Sequence, residues 1–367
     1  MREEFATTGK HATRYPGKGK ALRRSNPQAN TGFRVTETAD ITVLIVAYKS
    51  VGTLAGCLDA LRSQTRAPRE ILVLENGSPD GQRVAAADIP PGIRLIESGE
   101  NLGFAGGNNL LARSAQSEWL ALLNPDAYPH RDWIEQLEAA SRAYPDVPLF
   151  GSTQFAAGNE DVLDGTGDCY HALGLAYRSG YGRKLNAIPE GEVFAACGAA
   201  MFVRRDVFEA LGGFDDRFFC YNEDVDLGYR ARLRGWAVIQ LAGARVDHVG
   251  YGSSGRRSEF ATYYGVRNRL WVFLKNTPGW LFWALLPGHV AVTLALWISA
   301  FRFGQGRLFA RAIADGMSAR EKILASRVEI QASRRVSAMR LARMMNWNPF
   351  DLVTRRAKVW RVGKTRV

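Results

Sequence analysis

The strongest constraint on the fold is an alternation of apolar segments with helical patterns over residues 41–123. The segment ITVLIVAY is too continuously apolar for a strand that has one face in water, and ILVLEN, IRLIES and WLALLN repeat the strand pattern. Strands that alternate with helices at this spacing predict βαβ units and a largely parallel α/β sheet. Because ligands bind beyond the carboxyl ends of such strands, the loops after Tyr48, Leu74 and Leu123 should meet at one mouth.

Charge and cysteine usage limit the class of protein further. The net charge is +12, and residues 302–367, with 16 basic and 4 acidic residues, account for all of it. We expect residues 1–38 to form a disordered basic leader, because they lack the apolar core of a signal peptide. Four widely spaced cysteines without a C-x-x-C pair predict reduced, mostly buried thiols rather than a zinc site or a disulfide framework.

An uncharged apolar segment covers residues 280–301. It is long enough to span a bilayer, which needs about 20 apolar residues, but Pro287 and Gly288 interrupt it. A single span would place the basic tail in the cytoplasm and the preceding domain outside, away from cytoplasmic substrates. We therefore expect a broken, re-entrant or surface-lying pair of half-helices, with a buried helix as the alternative. The Arg-rich tail would then be attracted to anionic lipids.

Polar side chains cluster at the ends of the predicted strands. Asp126 is suited to bind a hard divalent cation, and His248 is a candidate second ligand. The glycines of NLGFAGGNN (101–109) allow a ligand to approach the backbone, although neither a Walker loop nor a dinucleotide fingerprint is present. The acidic run NEDVD (222–226) is either the first turn of a helix or holds a general base. Taken singly, each cluster also fits an ordinary turn or helix start.

Taken in order, these signals resemble the family 2 inverting glycosyltransferases with a GT-A fold, most closely the bacterial rhamnosyltransferase-like branch. The matching segments, which cover residues 41–270, are VLIVAYKS, ILVLENGSPDG, NLGFAGGNN, LLNPDA, GAAMFVRRDVFEALGGFDDRFFCYNEDVDLGYRARLRGW, HVGYGSS and YYGVRNR. The resemblance implies a Rossmann-like, mostly parallel sheet flanked by helices over residues 39–276. Residues 277–367 would follow as a helical, membrane-associating region with the hydrophobic segment and the Arg-rich tail.

The resemblance also assigns roles to individual positions. Asp224 would be the general base, with Glu223 as its rival, and Asp126 with His248 would hold Mg²⁺ or Mn²⁺. Contacts to the nucleotide-sugar are expected from Ala47, Tyr48, Glu75, Asn76, Asn101, Gly103, Gly107, Asn108 and Asn124. Contacts to the acceptor or to a diphosphate are expected from Asp226, Arg230, Arg232, Arg267 and Arg269. The chain departs from the family pattern at Glu75 and Asn124, where the family usually has Asp.

The implied reaction is a single in-line displacement, in which an acceptor hydroxyl attacks the anomeric carbon of a nucleotide-sugar. Such a step needs no enzyme nucleophile, but it needs a base and positive charge at the departing diphosphate. We expect L-rhamnose to move from dTDP-rhamnose to a lipid-linked saccharide in cell-surface polysaccharide assembly. The expected location is the cytoplasmic face of the inner membrane, with peripheral or re-entrant attachment.

Several alternatives to this function stay open at the level of sequence. The donor could be a UDP-sugar, and the acceptor could be polyprenyl phosphate itself, a soluble compound or a protein. A rival from another class is a non-enzymatic basic protein whose tail binds membranes or nucleic acid. The tail has no recognisable nucleic-acid motif, so no nucleic-acid partner is expected. A homo-oligomer is compatible with the sequence, which does not determine the oligomeric state.

Overall fold

The computed structural model describes residues 38–184, 187–250 and 258–362. The strands in these ranges are β1 Ala39–Ala47, β2 Pro68–Asn76, β3 Arg94–Ser98, β4 Trp119–Leu123, β5 Ala127–Pro129, β6 Leu149–Ala156, β7 Asn159–Gly165, β8 Asp168–His171, β9 Leu175–Arg178, β10 Gly191–Glu192, β11 Ala200–Arg204 and β12 Val238–His248. The α-helices are α1 Val51–Arg62, α2 Gly103–Ser114, α3 Trp133–Ala143, α4 Arg205–Ala210, α5 Glu223–Leu233, α6 Glu259–Asn276, α7 Gly279–Phe301, α8 Gly306–Ser318, α9 Arg320–Ala332, α10 Ala338–Met344 and α11 Asp351–Thr354. The leader expected over residues 1–38 lies outside the described residues except for its last position.

A mixed sheet forms the centre of the described part of the chain, in the order β10-β12-β6-β11-β4-β1-β2-β3. The strands β3, β2, β1 and β4 are parallel, as the alternation over residues 41–123 predicts. The strand β11 lies antiparallel between β4 and β6, while β12 is parallel to β6. The sheet is thus parallel in its first half and mixed in its second, and the predicted α/β class is confirmed.

Helices cover both faces of this sheet because its central strands carry apolar side chains on both sides. On one face, Leu58 of α1 and Leu137 of α3 pack in one cluster with Val43. On the other face, Leu111 of α2 packs in a second cluster with Leu44, together with side chains of α4 and α5. Full burial of such a side chain contributes about 1.5–3 kcal/mol. Packing on both faces holds the strands in place, and with them the loops at their carboxyl ends.

A third apolar cluster joins the C-terminal helices to the sheet domain. Buried members come from five different helices: Tyr229 of α5, Phe273 of α6, Leu281 of α7, Ile323 of α9 and Leu341 of α10. The helix α5, which leads out of the acidic run, therefore packs directly against α6 and its C-terminal neighbours. Side chains from both sides of position 277 share this cluster, so the C-terminal region supports the elements that carry the acidic run.

The hydrophobic segment forms one continuous helix, α7, so the expected pair of half-helices is wrong. Pro287 removes only its own backbone hydrogen bond, and side chains on both sides of it hold the helix in place. Leu285 is buried, and the ring of His289 stacks 4.1 Å from that of Phe273 while its Nδ1 lies 2.9 Å from the carbonyl oxygen of Leu173. Within the described residues, α7 is the helix that is long and apolar enough to cross a membrane.

Candidate active site

The loops after β1, β2 and β4 meet at one edge of the sheet, as predicted from the strand pattern. The backbone N–H of Lys49 donates to the hydroxyl of Ser78 at 3.0 Å, which ties the first two loops together. The backbone N–H of Asn124 donates to the carbonyl oxygen of Ala199 at 2.9 Å, which brings the third loop to the segment before β11. These contacts gather the polar clusters of the sequence around one cleft.

Asp224 lies in the first turn of α5, next to that segment. Its carboxylate oxygens accept hydrogen bonds at 2.8 Å from the backbone N–H groups of Gly198 and Val225. Asp168 of β8 and the thiol of Cys197 lie beside it, with ligand atoms of all three side chains within 4.8 Å of one another. Asp224 is half-buried, whereas Asp168 is buried, so Asp224 is the carboxylate that a substrate can reach.

Burial and like charge make this pair of carboxylates bind a proton readily. Burial raises the pKa of Asp168 well above its ordinary range, and the charge of Asp224 raises it further. Burial also raises the pKa of Asp224, although the two backbone N–H donors oppose that effect. Burial raises the pKa of the Cys197 thiol to about 12, which disfavours its thiolate form. A carboxylate of raised pKa suits general-base chemistry.

Glu223 differs from Asp224 in its surroundings. Its side chain is buried, and its Oε2 atom has no hydrogen-bond partner among the described residues. Burial raises the pKa of Glu223 well above its ordinary range, and the neighbouring Asp224 adds to this effect. Glu223 therefore favours the neutral form and faces the interior, which leaves Asp224 as the better placed of the two candidate bases.

The loop before α5 is held in an unusual backbone conformation. Phe219, Tyr221 and Asn222 have φ values of 66°, 71° and 65°, and such left-handed conformations cost about 1–3 kcal/mol each for residues other than glycine. The side-chain amide of Asn268 on α6 lies 2.7–2.8 Å from three carbonyl oxygens of the loop, those of Phe218, Cys220 and Tyr221. Helix α6 therefore fixes the loop that leads to Asp224.

Asp126 and His248 form a second cluster, at the ends of β4 and β12. The Nε2 atom of His248 lies 3.4 Å from Oδ1 of Asp126 and 3.3 Å from the side-chain nitrogen of Asn124. The Nδ1 atom lies 2.7 Å from the carboxylate of Asp164, so that carboxylate orients the ring with its Nε2 atom toward Asp126. Adjacent ligands of an octahedral cation bound at 2.0–2.1 Å lie about 3 Å apart. The donor set thus fits a divalent cation.

The electrostatics of this second cluster agree with a cation site. Burial by itself lowers the pKa of His248, but hydrogen bonds with Asp126 and Asp164 outweigh it and raise the pKa. Burial raises the pKa of Asp126, but the hydrogen bond with His248 and the charges of His248 and Arg178 together outweigh it and lower the pKa. Asp164 also forms an ion pair with Arg178, whose charge lowers the pKa values of both Asp126 and Asp224. Arg178 therefore links the cation cluster to the candidate base.

Two side chains predicted to contact the nucleotide are buried and hydrogen-bonded within the protein. The carboxylate of Glu75 is fully buried and accepts the backbone N–H groups of Ser78 and Val84 at 2.7 and 2.8 Å. The side chain of Asn76 is also buried and bonds to Asn101 and to the backbone of the following turn. The polar atoms of both side chains form hydrogen bonds within the protein, and these bonds stabilise the loops at the mouth.

Two glycines of the glycine-rich segment are packed closely against the protein. A Cβ atom at Gly103 would lie 2.4 Å from the carbonyl oxygen of Phe219, and one at Gly107 would lie 2.8 Å from Val46. Asn108 is buried and donates to the carbonyl oxygen of its own helix. These glycines are needed for the close packing of α2. Of the other predicted contacts, Ala47 is buried, while Tyr48, Asn101 and Asn124 are half-buried at the mouth.

The arginines expected to bind a diphosphate have internal partners instead. Asp226 is buried and pairs with Arg230 at 2.8 Å and Lys275 at 2.9 Å. Arg230 also donates to two backbone carbonyl oxygens of the α4–α5 connection. Arg267 donates to the carbonyl oxygens of residues 217 and 218, and its guanidinium stacks on Trp271. The remaining two are paired inside the protein, Arg232 with Glu192 and Arg269 with Thr293.

Sequence reasoning missed several residues of the site, namely Asp164, Asp168, Arg178 and Asn268. Asp164 and Asp168 fall in the stretch that the sequence analysis left without a motif, because its Gly and Asp residues have weak periodicity. The signal that could have found them is the spacing D-G-x-G-D over residues 164–168, in which two carboxylates flank a tight turn. In the sequence, Asn268 is part of the matching segment YYGVRNR, which assigns it no role of its own.

The fold is that of the GT-A class of glycosyltransferases. The sequence profile of Glycosyl transferase family 2 matches residues 42–212, so the chain carries a family 2 domain. The expected enzyme class is confirmed, and the alternative of a non-enzymatic basic binding protein is wrong.

The chain is also similar to individual proteins of this class. It is 29% identical over 292 residues to N-acetylglucosaminyl-diphospho-decaprenol L-rhamnosyltransferase of Mycobacterium tuberculosis, covering 70% of this chain and 94% of that protein. It is 26% identical over 249 residues to low-salt glycan biosynthesis hexosyltransferase Agl10 of Haloferax volcanii, covering 63% of this chain and 74% of that protein. The crystal structure of GalNAc-T7 with UDP, GalNAc and Mn²⁺ aligns with a TM-score of 0.51 at 15% identity, over 64% of this chain and 47% of that one, which shows a shared fold.

Proposed function

We propose that the protein is an inverting transferase that moves L-rhamnose from dTDP-rhamnose to a saccharide linked to a polyprenyl diphosphate. The mycobacterial relative, whose name states an L-rhamnosyl transfer to such a lipid, supports this donor and acceptor class. The observation that carries the reaction type is the half-buried carboxylate of Asp224 lying in one electrostatic network with the Asp126–His248 cluster. Such a pairing provides a base on one side of the reaction centre and a leaving-group site on the other.

In this mechanism, Asp224 accepts the proton of the acceptor hydroxyl as its oxygen attacks the anomeric carbon of the sugar. The bond from that carbon to the nucleoside diphosphate breaks on the opposite face, so the anomeric configuration inverts. Asp168 keeps the affinity of the carboxyl pair for a proton high. Asp126 and His248 would hold Mg²⁺ or Mn²⁺, which supplies positive charge to the departing diphosphate.

The decisive experiment uses the purified full-length chain with dTDP-rhamnose, a divalent cation and N-acetylglucosaminyl diphosphate lipid. We expect a product of the mass of one added deoxyhexose, with the anomeric configuration inverted in its NMR spectrum. Asp224→Asn should lower kcat by 10²–10⁴-fold, the usual contribution of a general base. Asp206→Asn is the matched control, because Asp206 is exposed on α4 and bonds only to Arg204 among the partners described. Preference for a UDP-sugar would overturn the donor, and retention of configuration would overturn the mechanism.

The proposal includes attachment to the cytoplasmic face of the inner membrane. Helix α7 presents large apolar side chains to solvent, with Trp283 71% and Ile298 67% exposed. Its other face packs along α6, so α7 lies on the protein surface and one side of it points outward. The exposed Arg307 and Arg311 follow on α8. An apolar face beside basic side chains is suited to lie in the interface plane of an anionic membrane.

A further inference from the structure

Four aromatic side chains, Phe219, Tyr221, Phe260 and Tyr264, cluster beside the candidate base, and we call them the aromatic patch. Ring centroids lie 4.7 Å apart for Phe260 and Tyr264, 5.2 Å for Phe219 and Tyr264, and 6.1 Å for Tyr221 and Phe260. All four side chains are half-buried, whereas large aromatic side chains of the core such as Phe273 are fully covered. The aromatic patch therefore leaves apolar surface in contact with solvent.

The aromatic patch is fixed next to Asp224 by the backbone. Phe219 and Tyr221 belong to the loop that runs into α5, a few residues before the base. The backbone N–H of Ala105 donates to the carbonyl oxygen of Phe219 at 3.1 Å, and Gly103 leaves no room for a Cβ atom there. Because α2 holds this loop on one side and α6 on the other, the patch and the base keep a constant relation.

Helix α7 connects this patch to the outward apolar face of the protein. It runs antiparallel to α6, since Phe282 near its start contacts Phe273 near the end of α6, while Thr293 farther along α7 accepts a hydrogen bond from Arg269 earlier on α6. Further along α7, Trp297 donates to the carbonyl oxygen of Gly306, the first residue of α8. The neighbouring Gln305 lies 2.7 Å from the hydroxyl of Thr262 in the first turn of α6. The C-terminal end of α7 is thus beside the end of α6 that carries Phe260 and Tyr264.

The surface at this end of α7 is both apolar and basic. Ile298, Phe301 and Phe303 are more than half exposed, at 67%, 59% and 56%. Arg302 and Arg307 are exposed among them. The surface that would meet a membrane therefore continues, through the α6 N-terminus, to aromatic side chains next to the candidate base.

We infer that the aromatic patch binds the first isoprene units of the lipid carrier. The isoprenoid chain then stays in contact with apolar surface while the saccharide that it carries lies at Asp224. This inference rests on the proposed function, because it assumes a polyprenyl-linked acceptor. The rings of Phe219 and Tyr264 stack on each other, with 23° between their planes, instead of offering one open flat face. Such an irregular apolar surface fits a flexible isoprenoid chain better than a sugar ring. The arginines at the end of α7 complement the negative charge of the carrier diphosphate and of the surrounding lipids.

The experiment compares two acceptors that differ only in the chain, N-acetylglucosaminyl diphosphate carrying a decaprenyl or a farnesyl group. For Phe260→Ala and Tyr264→Ala, we expect KM to rise about tenfold for each acceptor that carries a chain. The rise should be nearly equal for the decaprenyl and the farnesyl acceptor, because the patch binds only the first isoprene units and both chains contain these. A third acceptor, with a methyl group in place of the chain, should show the same KM with wild type and variants. The matched control is Phe350→Ala, a 75% exposed aromatic side chain near α11. A KM for the methyl acceptor that rises as much as the others would assign the patch to the sugar and overturn the inference.

A second measurement does not depend on turnover. A farnesyl diphosphate with a diazirine in its first isoprene unit, irradiated with the full-length protein, should label peptides that contain residues 219–221 or 260–264. Labelling confined to other peptides would overturn the inference, even if a variant were poorly folded. Calorimetric binding of dTDP with Mn²⁺ should be the same for wild type and patch variants. The wild type could fail to use all three acceptors while the prenyl label still falls on the patch. That result would contradict the proposed function but not the binding of isoprene units by the patch.

Discussion

Replacing Asn268 by alanine tests whether α6 holds the loop before α5, residues 218–222. The amide is fully buried, and its Oδ1 accepts a hydrogen bond of 2.9 Å from Nε of Arg267, which orients the nitrogen toward the loop. That nitrogen serves three carbonyl oxygens with only two hydrogens. The carbonyl oxygen of Phe218 keeps a second donor, Nη2 of Arg267 at 3.0 Å, when the amide is removed. The carbonyl oxygens of Cys220 and Tyr221 lose the donor that Asn268 supplies.

The expected cost follows from these two carbonyl groups. Both hydrogen bonds are only partly buried, so each contributes about 0.5–1.5 kcal/mol, and Asn268→Ala should lower the free energy of unfolding by about 1–3 kcal/mol. The loop also contains three residues in left-handed conformations, each of which relaxes favourably once the loop is released. Because relaxation of the loop displaces Asp224, kcat should fall at least tenfold, which corresponds to about 1.4 kcal/mol of lost transition-state stabilisation.

Urea unfolding and steady-state kinetics on the same preparations measure both effects. Asn268→Asp should be worse than Asn268→Ala, because it places a carboxylate against three carbonyl oxygens. Gln331→Ala is the control, since its amide makes one hydrogen bond of 3.0 Å to the carbonyl oxygen of Asn276, away from the loop. That variant should lose about 1 kcal/mol or less and keep its kcat. Wild-type unfolding energy and wild-type kcat in Asn268→Ala would refute the argument that α6 fixes the loop.

Further predictions concern the base, the cation site and the membrane surface. The base acts when deprotonated, so activity is present above its pKa and is lost as pH falls through it. The pKa of Asp168 is raised more strongly than that of Asp224, so Asp168 keeps its proton when Asp224 loses one, and Asp168→Asn should leave the acidic limb of the pH profile of kcat/KM in place; a limb that moves to lower pH would show that Asp168 is charged when Asp224 acts. His248→Ala should abolish the Mn²⁺ dependence of dTDP binding, measured by calorimetry. Asp164→Asn removes the carboxylate that is hydrogen-bonded to the His248 ring, and it should weaken Mn²⁺ binding about 10–100-fold. Unchanged affinity in both would show that the cation is held elsewhere. Ile298→Glu should reduce sedimentation with anionic vesicles about fivefold, the ratio that 1 kcal/mol gives, and full sedimentation would argue against α7 as the membrane face.

The first half of the sheet was predictable from the sequence because its signal is local. A strand buried on both faces must be apolar at every position, so segments such as ITVLIVAY identify β1 whatever else the chain contains. The same holds for α5, whose acidic first turn marks the start of the helix at Glu223. The order of the motifs then identified the family, and the position of Asp224 followed from that resemblance.

The tertiary structure alone decided which polar groups meet and which are used internally. Asp164 orients His248 although 84 positions separate them, and no local pattern records that pairing. Glu75 and Asp226 carry the same chemistry as Asp224 in the sequence, but the first is used by two backbone N–H groups and the second by Arg230 and Lys275. Helix α7 is continuous through Pro287 because α6 and the β8–β9 turn hold both halves in line. Local pattern therefore determined the elements, while the burial and pairing of side chains distant in the chain determined that Asp224 is the half-buried carboxylate at the candidate site.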